Sequence, residues 1–122
     1  MMYHRVVRIF HPVGQGAFYT EKHLTSEGVF NIVYDCGNRG CVNQARPATI
    51  KAFSNKEKID ILFISHFDSD HVSLISSLRP FPDRIDKVVL PLLTEDEKSF
   101  LSGYYRLPRN FWKMSKRIQQ RS

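Results

Sequence analysis

Only two cysteines, Cys36 and Cys41, occur in the chain, and their spacing is not that of a redox or zinc-knuckle pair. Free thiols are therefore expected rather than a disulfide framework. No apolar run approaches the length that spans a membrane, and Met1 to Arg8 lacks the apolar core of a signal peptide, so a cytoplasmic location with no membrane partner is expected. Internal repeats, low-complexity tracts and linker-like stretches are also missing. The 122 residues are thus read as one domain with one core. No acidic residue follows Glu97, and no histidine follows His71.

The lack of late acidic residues places the charge. Residues 1–98 are formally neutral, and the whole net charge of +6 comes from Arg106, Arg109, Lys113, Lys116, Arg117 and Arg121. A basic end of this kind favours an anionic partner, either nucleic acid or the acidic face of another protein. The apolar fraction of 42% and charged fraction of 25% are those of an ordinary globular domain, which leaves function to be read from motifs.

One stretch stands out. Ile61-Leu-Phe-Ile is an apolar run that fits a strand buried on both faces, and it delivers Ser65-His66-Phe67-Asp68-Ser69-Asp70-His71 to its C-terminal end, where open α/β sheets bind ligands. His66 and Asp68 are two apart and point the same way in extended backbone. Asp70 and His71 follow where a helix would start, with Ser69 or Asp70 as its cap and Val72, Leu74, Ile75 and Leu78 as its apolar face. Two imidazoles and two carboxylates in six residues predict a metal centre of His66, Asp68, Asp70 and His71. Such mixed donors suit zinc, manganese or iron.

The rest of the chain predicts a layered α/β unit. Tyr3 to Phe10, Ala17 to Thr20 and Val29 to Tyr34 read as an antiparallel meander, with a tight turn at His11-Pro-Val-Gly-Gln-Gly16 and a polar connection from Glu21 to Gly28. Pro47 fits the first turn of a helix running to about Lys56. A second helix is expected to end near Arg79-Pro80, followed by a strand over Ile85 to Leu93 and a short helix whose capping box is Thr94 and Glu97. Asn110 is expected to cap a basic amphipathic helix carrying Phe111, Met114 and Ile118, with Phe111, Trp112 and Met114 serving packing rather than base stacking.

Val13-Gly-Gln-Gly16, a strand ending in Asp35-Cys-Gly37, and His66-x-Asp68-x-Asp70-His71 in that order resemble the N-terminal half of a metallo-β-lactamase-fold hydrolase. The pattern is most similar to the soluble domain of bacterial DNA-uptake (competence) proteins and their stand-alone relatives. The resemblance covers roughly Tyr3 to Leu93. It implies residues 1–93 as half of an αββα sandwich and residues 94–122 as a helical basic extension. It also implies a site for up to two divalent ions, zinc foremost, with His66 and Asp68 on the first metal and Asp70 and His71 on the second. Asp35 would support the ligand loop, and Asp70 would hold the nucleophile and accept its proton. The implied reaction is metal-dependent hydrolysis, directed at a phosphodiester or nucleic acid.

Ala17 stands where relatives often carry Asp, and Val72-Ser-Leu74 replaces their small residues. The family's later ligands include two histidines, yet none follows His71 here. The chain is thus expected to be a truncated half, completed by a longer chain, a protein partner or a second copy. The alternative is a non-catalytic remnant that binds metal or protein. A further alternative is the DHH-type phosphoesterases, whose manganese site His-x-Asp-x-Asp resembles, although that family lacks the upstream motifs.

Overall fold

β-branched and aromatic residues dominate the first third of the chain, and they build a sheet. The computed structural model describes residues 3–40, 42–105, 107–108, 111–112 and, for the backbone, 115–117. Strands β1 (His4–Phe10), β2 (Gly16–Thr25) and β3 (Gly28–Asn38) form the expected antiparallel meander. The chain then alternates: α1 (Val42–Ala52), β4 (Ile59–Phe63), α2 (Ser69–Val72), a 3-10 turn at Ile75–Ser77, β5 (Ile85–Leu90), α3 (Glu95–Tyr105) and β6 (Ser115–Arg117). The six strands lie in sequence order, and β3 to β6 run parallel. The fold is α/β with one mixed sheet among the described residues.

Alternation of burial shows where the helices lie. Thr20, Val33, Leu62 and Val88 are successive Cα partners across the sheet and are all buried, and the last three cluster with Ala45 and Phe53 near α1 and with Val72, Leu74, Ile75 and Leu78 around α2. The opposite row, Tyr19, Tyr34, Phe63 and Val89, is half-buried or exposed. One face of the sheet is therefore covered and the other is not.

Several boundaries differ from the sequence expectation. The stretch from Glu21 is strand as far as Thr25, because Glu21 and His23 find partners on the sheet itself: Tyr19 Oη donates to Glu21 at 2.8 Å, and His23 Nε2 lies 2.9 Å from Glu21. Only Ser26 and Glu27 remain as the turn between β2 and β3. Pro47 sits inside α1, whose first turn lies upstream at Val42. β5 stops at Leu90, before Pro91. The helix after His71 breaks after Val72, because Leu74 N–H turns away to donate to the Cys36 carbonyl at 2.9 Å.

The capping box at α3 is present as the sequence predicts: Glu97 N–H donates to Thr94 Oγ1 at 3.2 Å, and Thr94 N–H to Glu97 Oε1 at 3.0 Å. In place of a helix over 110–118, Ser115–Arg117 is a strand beside β5, which gives hydrogen-bonding partners to an otherwise open sheet edge. Asn110, Met114 and Ile118 lie outside the described residues, as do Cys41, Arg106, Arg109, Lys113 and Arg121. Phe111 is fully buried, and Trp112 Nε1 donates to Ser102 Oγ at 2.6 Å, so both pack as expected. Among the described residues no helix is long and apolar enough to cross a membrane.

Candidate metal centre

Two glycines let three segments meet beneath the site. A Cβ on Gly37 would lie 2.5 Å from the Ser69 carbonyl and 2.6 Å from Val72 N, so the start of α2 rests directly on the end of β3. A Cβ on Gly16 would collide with Gly37 in turn, which lets the Val13-Gly-Gln-Gly16 turn close against the same spot. Side chains fasten the stack. Asn38 donates its amide to the Val13 carbonyl and its backbone N–H to Ser73 Oγ at 2.9 Å, while Ser73 Oγ donates to the Asn38 carbonyl at 3.0 Å.

Asp35 holds the other side. It is the one described non-glycine residue with positive φ, at 56°, a conformation that Asp tolerates better than most residues and that costs about 1–2 kcal/mol. Its buried carboxylate accepts the Ser65 backbone N–H at 2.7 Å and the Ser65 hydroxyl at 2.6 Å, and His71 Nδ1 lies 3.0 Å from the same Oδ2. These charge-assisted bonds offset the backbone strain.

The network assigns both imidazole tautomers. Ser65 has one hydroxyl proton and gives it to Asp35, so toward His66 Nδ1, 3.1 Å away, the oxygen must accept. His66 therefore carries its proton on Nδ1. His71 does the same toward Asp35. In their neutral forms both rings leave Nε2 as a free lone pair, the arrangement in which a carboxylate or hydroxyl fixes a histidine for metal binding.

His71 Nε2 lies 3.6 Å from Asp70 Oδ2, close to the roughly 3.4 Å that separates two donors sharing a tetrahedral zinc ion. Asp70 Oδ1 is buried with no hydrogen-bond partner, and Arg39 approaches Oδ2 at 3.7 Å. An orphaned, buried carboxylate oxygen beside an available imidazole fits a divalent cation. The His66 and His71 rings are 5.2 Å apart. Asp68 is exposed and occupies the cap position of α2 in place of Ser69 or Asp70, without a side-chain capping bond. The site thus brings His66, Asp70, His71 and Asp35 together and leaves Asp68 at the rim. Among the described residues, no group of three or more His, Cys, Asp or Glu side chains is placed so that it could hold a metal ion.

Three contributors have no motif of their own. Ser65 is the hub between Asp35 and His66. Tyr105, from α3, donates its hydroxyl to the Phe67 carbonyl at 2.7 Å and so anchors the middle of the ligand loop. Burial and the nearby tyrosinate and carboxylate charges, from Tyr104, Asp68 and Asp70, push the Tyr105 phenol up, so it stays a donor. Arg39 directly follows β3. A cavity of about 360 Å³ opens next to His66, lined by Tyr34, Asp35, Phe63, Ser65, Val89 and Pro91 among others.

No protein-family model matches this chain, and a search of the curated proteins finds no match either.

Proposed function

We propose that the chain is the N-terminal half of a metallo-β-lactamase-type αββα sandwich and carries part of the centre of a metal-dependent hydrolase acting on phosphodiesters. The observation that carries this reading is the partnerless, buried Asp70 Oδ1 beside His71, whose Nε2 lies 3.6 Å from Asp70 Oδ2, with Nδ1 of both His66 and His71 engaged and each Nε2 left as the available donor. His66, Asp70 and His71 would hold the ion, and Asp68 stands at the rim to join them. A divalent ion bound there, zinc foremost or manganese or iron, supplies Lewis acidity that makes water more acidic and offsets charge on a phosphoryl oxygen.

The protein's own residues do the remaining work. Asp35 and Ser65 keep both rings in one tautomer, so no proton has to be moved before a ligand binds. Asp70 Oδ1, buried and without a hydrogen-bond partner, is free to accept a proton. Arg39, 3.7 Å from Asp70, supplies positive charge beside the carboxylate, which would favour an anionic substrate. The missing donors come from outside this half.

Elemental analysis of the purified chain tests the reading. A stoichiometric metal that is lost in both His66→Ala and Asp70→Ala is expected, with hydrolysis of a simple aryl phosphodiester abolished in the same variants. Metal-free protein that also fails to take up zinc, manganese or iron would sink it. Metal uptake without hydrolysis would instead favour the non-catalytic binding remnant.

A further inference from the structure

The sheet face turned away from the helices carries a continuous row of large side chains. Phe10, Tyr19, Tyr34, Phe63 and Val89 are successive Cα partners from β1 to β5. Ring centroids along it are 4.7 Å apart for Phe10 and Tyr19, 5.4 Å for Tyr19 and Tyr34, and 4.9 Å for Tyr34 and Phe63, the last pair almost parallel. Phe10 is 84% exposed and Tyr34 37%. The neighbouring row reads Arg8, Glu21, Ile32, Ile61, Lys87, apolar at its centre, with Glu21 and Arg8, 4.0 Å apart, on one side and Lys87 on the other.

We propose that this face is a homodimer interface, covered by the same face of a second copy. A two-fold axis that runs along the strands, midway between β3 and β4, lays β2 over β5 of the second copy and β3 over its β4. Because that rotation keeps each row level, Glu21 meets Lys87 of the second copy, and symmetry makes the pair twice. Tyr34 meets Phe63 in the same way. Packed sheets cross at about 30°, and for strands about 7 Å from the axis this displaces side chains by only about 4 Å, within reach of Glu and Lys.

The area is sufficient. The next row, Val6, His23 and Phe30, extends the face over β1 to β3, and five strands about 4.8 Å apart by three rows about 7 Å apart give up to roughly 500 Å² of flat sheet per copy, so the pair comes to the roughly 1,000 Å² that a stable interface needs. A contiguous, partly exposed row of large side chains such as Phe10 to Val89 marks an interaction surface. The second copy would also roof the cavity beside His66, since Tyr34, Phe63 and Val89 belong to both the cavity wall and the row. In the half-sandwich reading this is the face that the other half would cover; the second copy takes that place, and the dimer rests on the sheet geometry whether or not a metal binds.

Sedimentation equilibrium on the full chain tests it, with far-UV circular dichroism confirming that every variant is folded. The wild type is expected at twice the 14.3 kDa chain mass. Glu21→Lys and Lys87→Glu should each move the monomer–dimer midpoint about tenfold or more toward monomer, because each sets like charges opposite one another. The combined exchange should restore the dimer. Tyr34→Asp, at an exposed position, should give folded monomer. A wild type that stays monomeric at about 100 μM, or forms larger assemblies, overturns the proposal, as does a dimer indifferent to both reversals or one that the combined exchange fails to restore.

Discussion

Ser65 gives both of its protons to Asp35: the backbone N–H goes to Oδ1 at 2.7 Å and the hydroxyl to Oδ2 at 2.6 Å. A single carboxylate thereby fixes the start of the ligand loop and, through the serine oxygen, the proton on His66. In Ser65→Ala the Asp35–His71 contact stays, while His66 loses the acceptor that selects its tautomer. Nitrogen-15 NMR of the histidine rings should show Nδ1–H for both residues in the wild type, and a mixture confined to His66 in the variant. A wild-type His66 protonated on Nε2 would refute the network.

Asp35→Asn keeps the shape but replaces an acceptor oxygen with an amide that faces Ser65 donors. The loss of charge-assisted bonds from a buried group should lower stability by about 1.5–3 kcal/mol, read from urea denaturation. Metal affinity should fall about 10–100-fold in the same variant, since the carboxylate orients His71. An unchanged affinity would mean that Asp35 serves the fold alone.

Gly37→Ala should be costly for so small a change. The new methyl would meet the Ser69 carbonyl at 2.5 Å, and backbone on both sides has to shift. About 1–3 kcal/mol of destabilisation is expected, in the range of overpacked cores. Gly103→Ala, where a Cβ meets nothing within 4 Å, is the matched control, and it should be neutral or slightly stabilising.

Acid should weaken the fold through His11. Its ring stacks on Phe18, with centroids 4.1 Å apart, and Nε2 lies 2.8 Å from Thr20 Oγ1; burial lowers its pKa below the ordinary 6.5. The unfolded chain therefore binds a proton that the native state resists. Stability contributed by the neutral ring is complete above about pH 6.5 and is lost as the pH falls from there through the lowered native value. Denaturation midpoints measured across that range should drop less steeply in His11→Gln than in the wild type.

Cys36 should be chemically silent in the folded protein. It is fully buried, and desolvation together with the adjacent Asp35 carboxylate pushes its thiol well up, so little reactive thiolate forms. In a Cys41→Ser background, Ellman's reagent at pH 8 should react with Cys36 only after denaturant is added. Rapid labelling of native protein would place the end of β3 at the surface.

The parts of this fold that could be read from sequence were those set by local periodicity. Strands β1 to β3 and the Thr94–Glu97 capping box needed only the pattern of neighbouring residues. Where distant backbone competes for the same groups, local pattern fails. The helix after His71 was expected to reach Arg79, yet the Leu74 N–H prefers the Cys36 carbonyl, a partner 38 positions upstream. Pro47 was placed at a first turn because its missing N–H is harmless there, whereas α1 already begins at Val42. The nearness of His71 to Asp70 and to His66 was legible from spacing, whereas Asp68, expected to join them, takes the cap position of α2 instead. The roles of Ser65 and Tyr105 were not, since one serine and one tyrosine carry no signal until the chain is folded.

Order of assembly follows from how far apart the site's partners lie along the chain. The hairpin pairs of the meander join positions only a few to about twenty residues apart, whereas Ser65 and His71 must reach Asp35 across separations of 30 and 36. Closing the longer loop costs more chain entropy and yields nothing until β4 docks beside β3. The meander can therefore form first and stand as a template. The ligand loop is the last piece to lock and the first to come undone, so slow hydrogen exchange should persist in β2 and β3 after the amides of Ser65 and His71 have already exchanged.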